Sequence, residues 1–167
     1  PVLASTRRTI LCSTPPIAMP KLMHSAPTAP WISQLRGSID GADGNFEIDM
    51  GSRGSLTLAP AFAAKHDLAT RLSAKSEAIT GAGMAGPMRS LLARGKMLKL
   101  GAVEVPYPVI AIPRETKGAF AQSDVAGNVG FGVLRQFAIT YDLPNDALYF
   151  ERYLNFGTPD IADRGGI

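Results

Sequence analysis

The sequence predicts a mainly β fold. Short apolar runs alternate with turn-forming residues from Trp31 to Arg152. Glycine (17) and proline (13) supply 30 of the 167 residues, which suits many short strands joined by turns better than a helical packing. Neither of the two helical stretches is long enough to carry a crossover between parallel strands, so no βαβ rhythm is present.

Each element follows from local pattern. Residues 1–29, with Pro15, Pro16, Pro20 and Pro27 followed by Pro30, read as an N-terminal arm or linker with at most one short strand near Arg8–Cys12. Trp31–Ile39 reads as a strand. Asp40-Gly41-Ala42-Asp43-Gly44 reads as a turn of residues that tolerate positive φ, and Asn45–Ile48 as the returning strand. Leu56–Leu58 is a short strand, and Pro60–His66 a short helix with proline near its first position. Glu77–Thr80 and Met88–Leu100 read as arms of a hairpin with its tip at Gly81–Gly86. Gly101-Ala102 turns the chain into Val103–Val105. Tyr107–Ile112 is a further strand, which Pro106 and Pro108 place at a sheet edge. Residues 113–126 read as a polar loop and Phe131–Phe137 as a short helix. Ala138–Asp142 and Ala147–Arg152 form a last hairpin. Residues 30–152 thus make one domain of about eight strands and two short helices, and 153–167 a tail or linker ending in Gly165-Gly166.

Bulk properties narrow the function classes. A 167-residue chain with 46% hydrophobic residues is long enough for one domain with a real core. The net charge is +3, and the basic residues are scattered apart from Arg7-Arg8, so no nucleic-acid footprint is visible. Cys12 is the single cysteine, which excludes an internal disulfide and a cysteine metal cluster. His24 and His66 lack ligand spacing, so no metal or other cofactor is expected. No run of 18 apolar residues exists to span a membrane, and no G-x-S-x-G anchors a serine hydrolase. The chain opens on proline without a visible signal peptide and reads as a fragment or processed product.

The strongest chemical signal is Phe46-Glu47-Ile48-Asp49-Met50-Gly51-Ser52, where a carboxylate follows a hydrophobic strand and precedes a small turn. Such a turn aims a carboxylate into a cleft, and Gly51 permits close backbone approach. By itself, a strand ending in Asp-x-Gly is usually a plain turn. The second signal is Gly127-Asn128-Val129-Gly130-Phe131-Gly132-Val133-Leu134-Arg135-Gln136-Phe137, an apolar residue and a glycine before a short amphipathic helix, where core packing accounts for Val129, Leu134 and Phe137. Gly81-Ala82-Gly83-Met84-Ala85-Gly86 matches G-x-G-x-x-G, with Glu104 following. Its context fails the dinucleotide reading: no buried strand precedes it, and Pro87 and Gly95 exclude a long helix after it. A mobile hairpin tip explains these glycines better.

In this order, the Asp49 segment, the helix at Pro60–His66, the glycine-rich hairpin and the Gly127–Phe137 segment resemble the bacterial retropepsin-like aspartyl proteases over roughly residues 30–152. The resemblance implies a closed, β-barrel-like lobe, with Asp49 as catalytic residue and Met50, Gly51, Ser52, Val129 and Gly130 as its supporting loops. Ser52 would hydrogen-bond the carboxylate. The hairpin at about Ile79–Ser90, with Gly81, Ala82, Gly83 and Met84 at its tip, would be the flap closing over a peptide or protein substrate. Met84 and Met88 would line that cleft or simply pack beneath it.

The family's chemistry needs two carboxylates sharing a proton. This chain supplies one Asp-x-Gly in the right setting, because Asp40-Gly41 and Asp43-Gly44 are turn residues. The second carboxylate is expected from a homodimer or from a second lobe, as in relatives with tandem lobes followed by a PDZ domain. Met50 departs from the family, where Thr or Ser clamps the two loops across the interface. Losing that hydroxyl removes roughly 1 kcal/mol per lobe, and stranding its partner costs about 1–3 kcal/mol. Two readings follow: an aspartic endopeptidase lobe, or a catalytically degenerate lobe that binds peptide or supports a partner. The resemblance also implies an exported or periplasmic bacterial protein.

Overall fold

The structure is a computed structural model that describes residues 17–18, 23–24, 33–83, 86–115, 125–142, 144 and 147–158. It is mainly β. The strands are β1 (Ile17–Ala18), β2 (Met23–His24), β3 (Ser33–Ile39), β4 (Ala42–Ile48), β5 (Leu56–Leu58), β6 (Ser76–Gly83), β7 (Gly86–Arg94), β8 (Met97–Leu100), β9 (Val103–Pro106), β10 (Val109–Pro113), β11 (Gly127–Val129), β12 (Phe137–Asp142) and β13 (Ala147–Arg152). Three short helices interrupt them: α1 (Pro60–Lys65), α2 (Leu68–Arg71) and α3 (Phe131–Leu134).

Among the described residues, a ten-stranded sheet runs β6-β7-β10-β5-β11-β4-β3-β8-β9, with β2 paired to β3, and a three-stranded sheet runs β1-β13-β12. The turn between β3 and β4 is tighter than the sequence predicts. Asp40 (φ 48°) and Gly41 (φ 83°) form a two-residue connection with both central residues left-handed, the turn whose twist matches the flanking strands. Ala42, Asp43 and Gly44 therefore belong to β4, and Ala42 is buried.

β10 corrects a second expectation. It is interior, antiparallel to β7 and parallel to β5, rather than an edge. Pro108 precedes its first residue and Pro106 ends β9, which is the strand at the edge, so neither proline has to donate to an interior ladder. The glycines of the hairpin lie within β6 and β7, so the segment directly after them is strand, where a dinucleotide site needs a helix. The expected strand near Arg8–Cys12, Met84 and most of the 113–126 loop lie outside the described residues.

The core is one cluster built from the inward face of the wide sheet, including Leu35, Ile39, Phe46, Leu56, Leu58, Leu98, Leu100, Ile110 and Val129. Burying a side chain of this size contributes about 1.5–3 kcal/mol. Phe62 of α1 packs edge-on against Phe46. Phe137 and Phe150 carry the smaller sheet onto the same core, and Phe156 packs edge-on against Phe137. Tyr153 and Gly157 donate backbone N–H groups to the Gln136 carbonyl and side-chain oxygens at 2.9 Å each, so the chain just past β13 stays attached to the lobe. No helix among the described residues is long and apolar enough to cross a membrane.

Candidate active site

The site is positioned by a pairing between segments distant in the chain. β11 inserts between β4 and β5, parallel to β4 and antiparallel to β5. Val129 thereby stands opposite Ile48, and its carbonyl accepts the Asp49 N–H at 3.0 Å. The strand ladder thus continues one residue past β4 and fixes where the acid leaves it.

Directly after that bond the chain turns. The Ser52 N–H reaches back to the Asp49 carbonyl at 3.3 Å, and Gly51 and Ser52 donate their N–H groups to Asp49 Oδ1 at 2.8 and 3.2 Å. Ser52 therefore meets the carboxylate through its backbone N–H. Asp49 Oδ2 accepts from Asn128 Nδ2 at 2.8 Å. Asp49 is half-buried, and its loop neighbours Met50 and Gly51 are exposed. Met50 is 51% exposed, so its side chain adds little to the packing of its own lobe.

The second loop seals the first from behind. Gly130 donates to the Ser55 carbonyl at 2.9 Å, Phe131 to that of Ser52 at 2.7 Å and Gly132 to that of Gly54 at 3.0 Å. Six predicted site residues are thereby brought together: Asp49, Met50, Gly51, Ser52, Val129 and Gly130. The hairpin residues Gly81, Ala82 and Gly83 lie on β6 at one end of the sheet order, separated from β4 by β7, β10, β5 and β11. A register shift between Ile79 and Gly81 kinks that hairpin, and Thr80 and Ser90 join their hydroxyls at 2.6 Å beside it.

Two residues were not assigned a role from sequence. Asn128 occupies the register row Gln34–Glu47–Asn128–Thr57, a line of polar residues across four adjacent strands. A polar residue between Gly127 and the core residue Val129 was the available signal, since successive strand residues face opposite sides. Tyr141 on β12 lies within reach of the Asp49 charge. Burial pushes its phenol above the ordinary value, and the negative charge of Asp49 adds to the rise.

An open groove of about 460 Å³ lined by Arg36, Asp43, Asn45, Phe62, Lys65 and Val125 lies elsewhere, along the first half of β4. Asp43 and Asp49 are six residues apart on an extended chain, about 20 Å. Its lining has no bearing on the carboxylate. Among the described residues, no group of three or more His, Cys, Asp or Glu is placed to hold a metal ion.

No family model and no curated protein sequence matches the chain. Among solved structures, it is similar to a retropepsin-like aspartic protease from Rickettsia conorii, at a TM-score of 0.53 and 13% sequence identity, over 83% of this chain and 91% of that one. At that identity the likeness is one of fold. The chain has the mainly β fold of a retropepsin-like aspartic protease.

Proposed function

We propose that this chain is one lobe of an aspartic endopeptidase, with Asp49 as the carboxylate that activates the attacking water. The observation that carries this reading is the hold on Asp49. Both oxygens are oriented by donors, two backbone N–H groups on Oδ1 and one amide on Oδ2, on a fold shared with a retropepsin-like aspartic protease. Donors on both oxygens fix the directions of the carboxylate's remaining lone pairs, as a general base requires.

Hydrolysis needs a second carboxyl group, from a second copy of the chain or from a second lobe. The ionised member takes a proton from water as the water oxygen bonds to the peptide carbonyl carbon. The protonated member gives its proton to the carbonyl oxygen. Collapse then breaks the C–N bond and returns a proton to the leaving amine. In this reading the wide sheet curls into a barrel-like lobe, the β6–β7 hairpin closes over an extended peptide, and the protein is bacterial and exported.

The test is an acid-pH peptidase assay on the wild type and Asp49→Asn, with the full-length chain where it is longer. Activity lost in the variant is the expected result. Equal activity in both, or none in either, sinks the proposal. The second reading, a degenerate lobe that binds peptide or supports a partner, is favoured by one observation: Met50 occupies the clamp position exposed and without a hydroxyl. Peptide binding without turnover in the wild type would select it.

A further inference from the structure

We propose that Asn128 is a positioning residue that adapts to the protonation state of Asp49, so that the same carboxyl group serves as base or as acid. This inference rests on the reading of Asp49 as the reacting carboxyl. The argument begins with Oδ1, which already accepts two backbone N–H groups, from Gly51 at 2.8 Å and Ser52 at 3.2 Å. Backbone N–H groups only donate. A proton on Oδ1 would point at donors, so any proton that Asp49 carries resides on Oδ2.

Oδ2 faces Asn128, and an asparagine amide offers two donors on one atom and two acceptor lone pairs on the other. The observed contact, Nδ2 to Oδ2 at 2.8 Å, suits the ionised carboxylate. The other end of the same amide, Oδ1 of Asn128, is buried and has no hydrogen-bond partner among the described residues. A buried carbonyl oxygen without a donor is costly, and such groups are uncommon in folded proteins. Rotation of the amide by half a turn about its last side-chain bond presents that oxygen to Oδ2. It is then the acceptor that a protonated Asp49 requires.

The amide thus matches both states of the acid, which neither an apolar residue nor a fixed donor does. In a pair of identical lobes one aspartate is ionised while its twin is protonated, and the roles exchange during turnover. Asn128 lets one sequence supply both members. Among the described residues, the titratable groups facing this pair are the Tyr141 phenol from β12 and Glu47, the register partner of Asn128 on β4. Tyr141 stays protonated throughout the carboxylate range.

Two variants and one spectroscopic readout test this. Asn128→Leu keeps much of the shape and removes both polar ends; kcat should fall at least about tenfold at every pH, with KM little changed. Asn128→Asp supplies a donor only while the new carboxyl is protonated. It should approach wild-type kcat at the acid end and lose activity as pH rises, narrowing the profile from its basic side. A purely structural residue would lower both profiles without moving their limbs, and that result overturns the proposal. Independently of turnover, the side-chain amide resonances of Asn128 should shift in one step on acidification, and the step should vanish in Asp49→Asn. Amide resonances that stay flat overturn the proposal even if the peptidase is active. A step in an inactive protein sustains the coupling while the endopeptidase reading fails.

Discussion

A Cβ placed on Gly130 would stand 2.3 Å from the carbonyl oxygen of Gly54. The same atom would lie 2.8 Å from both the carbonyl oxygen and the hydroxyl oxygen of Ser52. Two of these three obstacles are backbone atoms, held by the hydrogen bonds that Phe131 and Gly132 donate to them, so they cannot swing aside.

Gly130→Ala is therefore expected to push the β11–α3 segment off the loop that carries Asp49. Forced overpacking of this kind costs about 1–3 kcal/mol. A lower denaturant midpoint, together with loss of Asp49-dependent peptidase activity, is the predicted outcome. An alanine variant with an unchanged midpoint would show that the two loops are not rigidly stacked.

Met50→Thr should leave the folded lobe nearly as stable as before, within about 0.5 kcal/mol, because the Met50 side chain is largely in solvent. Its effect is expected in self-association. In the proposed homodimer, a hydroxyl on each of two facing loops adds about 1 kcal/mol per lobe, or roughly a thirtyfold tighter dimer. Sedimentation equilibrium on both proteins measures this; an unchanged dissociation constant argues against loop-to-loop pairing at Met50.

Tyr141 gives a prediction in pH. Its phenol is raised in the folded chain, first by burial and then by the Asp49 charge. Between the unfolded value near 10 and the raised folded value, the native state keeps a proton that the unfolded chain has lost. The unfolded state then binds fewer protons, so stability is intact below about pH 10 and falls as pH rises through the folded value. Tyr141→Phe should remove that part of the fall. Urea unfolding of the two proteins at about pH 8 and about pH 11 should show a difference that moves in favour of the variant at the higher pH. Tyr141 is 42% exposed, so solvent softens the effect.

Asp40 ties the first hairpin to β8. Its carboxylate accepts the N–H of Lys96 at 3.0 Å and of Met97 at 2.7 Å, while its own backbone sits at φ 48°. Asp40→Ala loses those acceptors and places a Cβ residue without local hydrogen bonding in the left-handed region. A loss of about 2–3 kcal/mol is expected. Asp40→Asn keeps the backbone preference and one oxygen, so it should cost about 1 kcal/mol. Equal midpoints for the two variants would contradict this account.

Residue order alone determined what depends on near neighbours. The glycines, prolines and aspartates set the turns, and apolar runs at strand spacing gave most strands to within a few residues. Ile48-Asp49-Met50-Gly51 was legible as a carboxylate on a tight loop because its strand, its turn and its glycine are adjacent in the chain. Val129-Gly130 was legible for the same reason.

Only the tertiary structure decided which strands are neighbours. β10 is interior because β5 and β7 flank it, a choice made by burial of Ile110 and Ile112 against the core and invisible in the prolines nearby. Asn128 meets Asp49 across 79 positions of sequence because β11 slides between β4 and β5. Local patterns fix the conformation of a segment, but pairing is set by the collective burial of one face of the sheet. The side chain that completes a carboxylate's hydrogen bonds is therefore supplied by whichever strand that burial brings alongside.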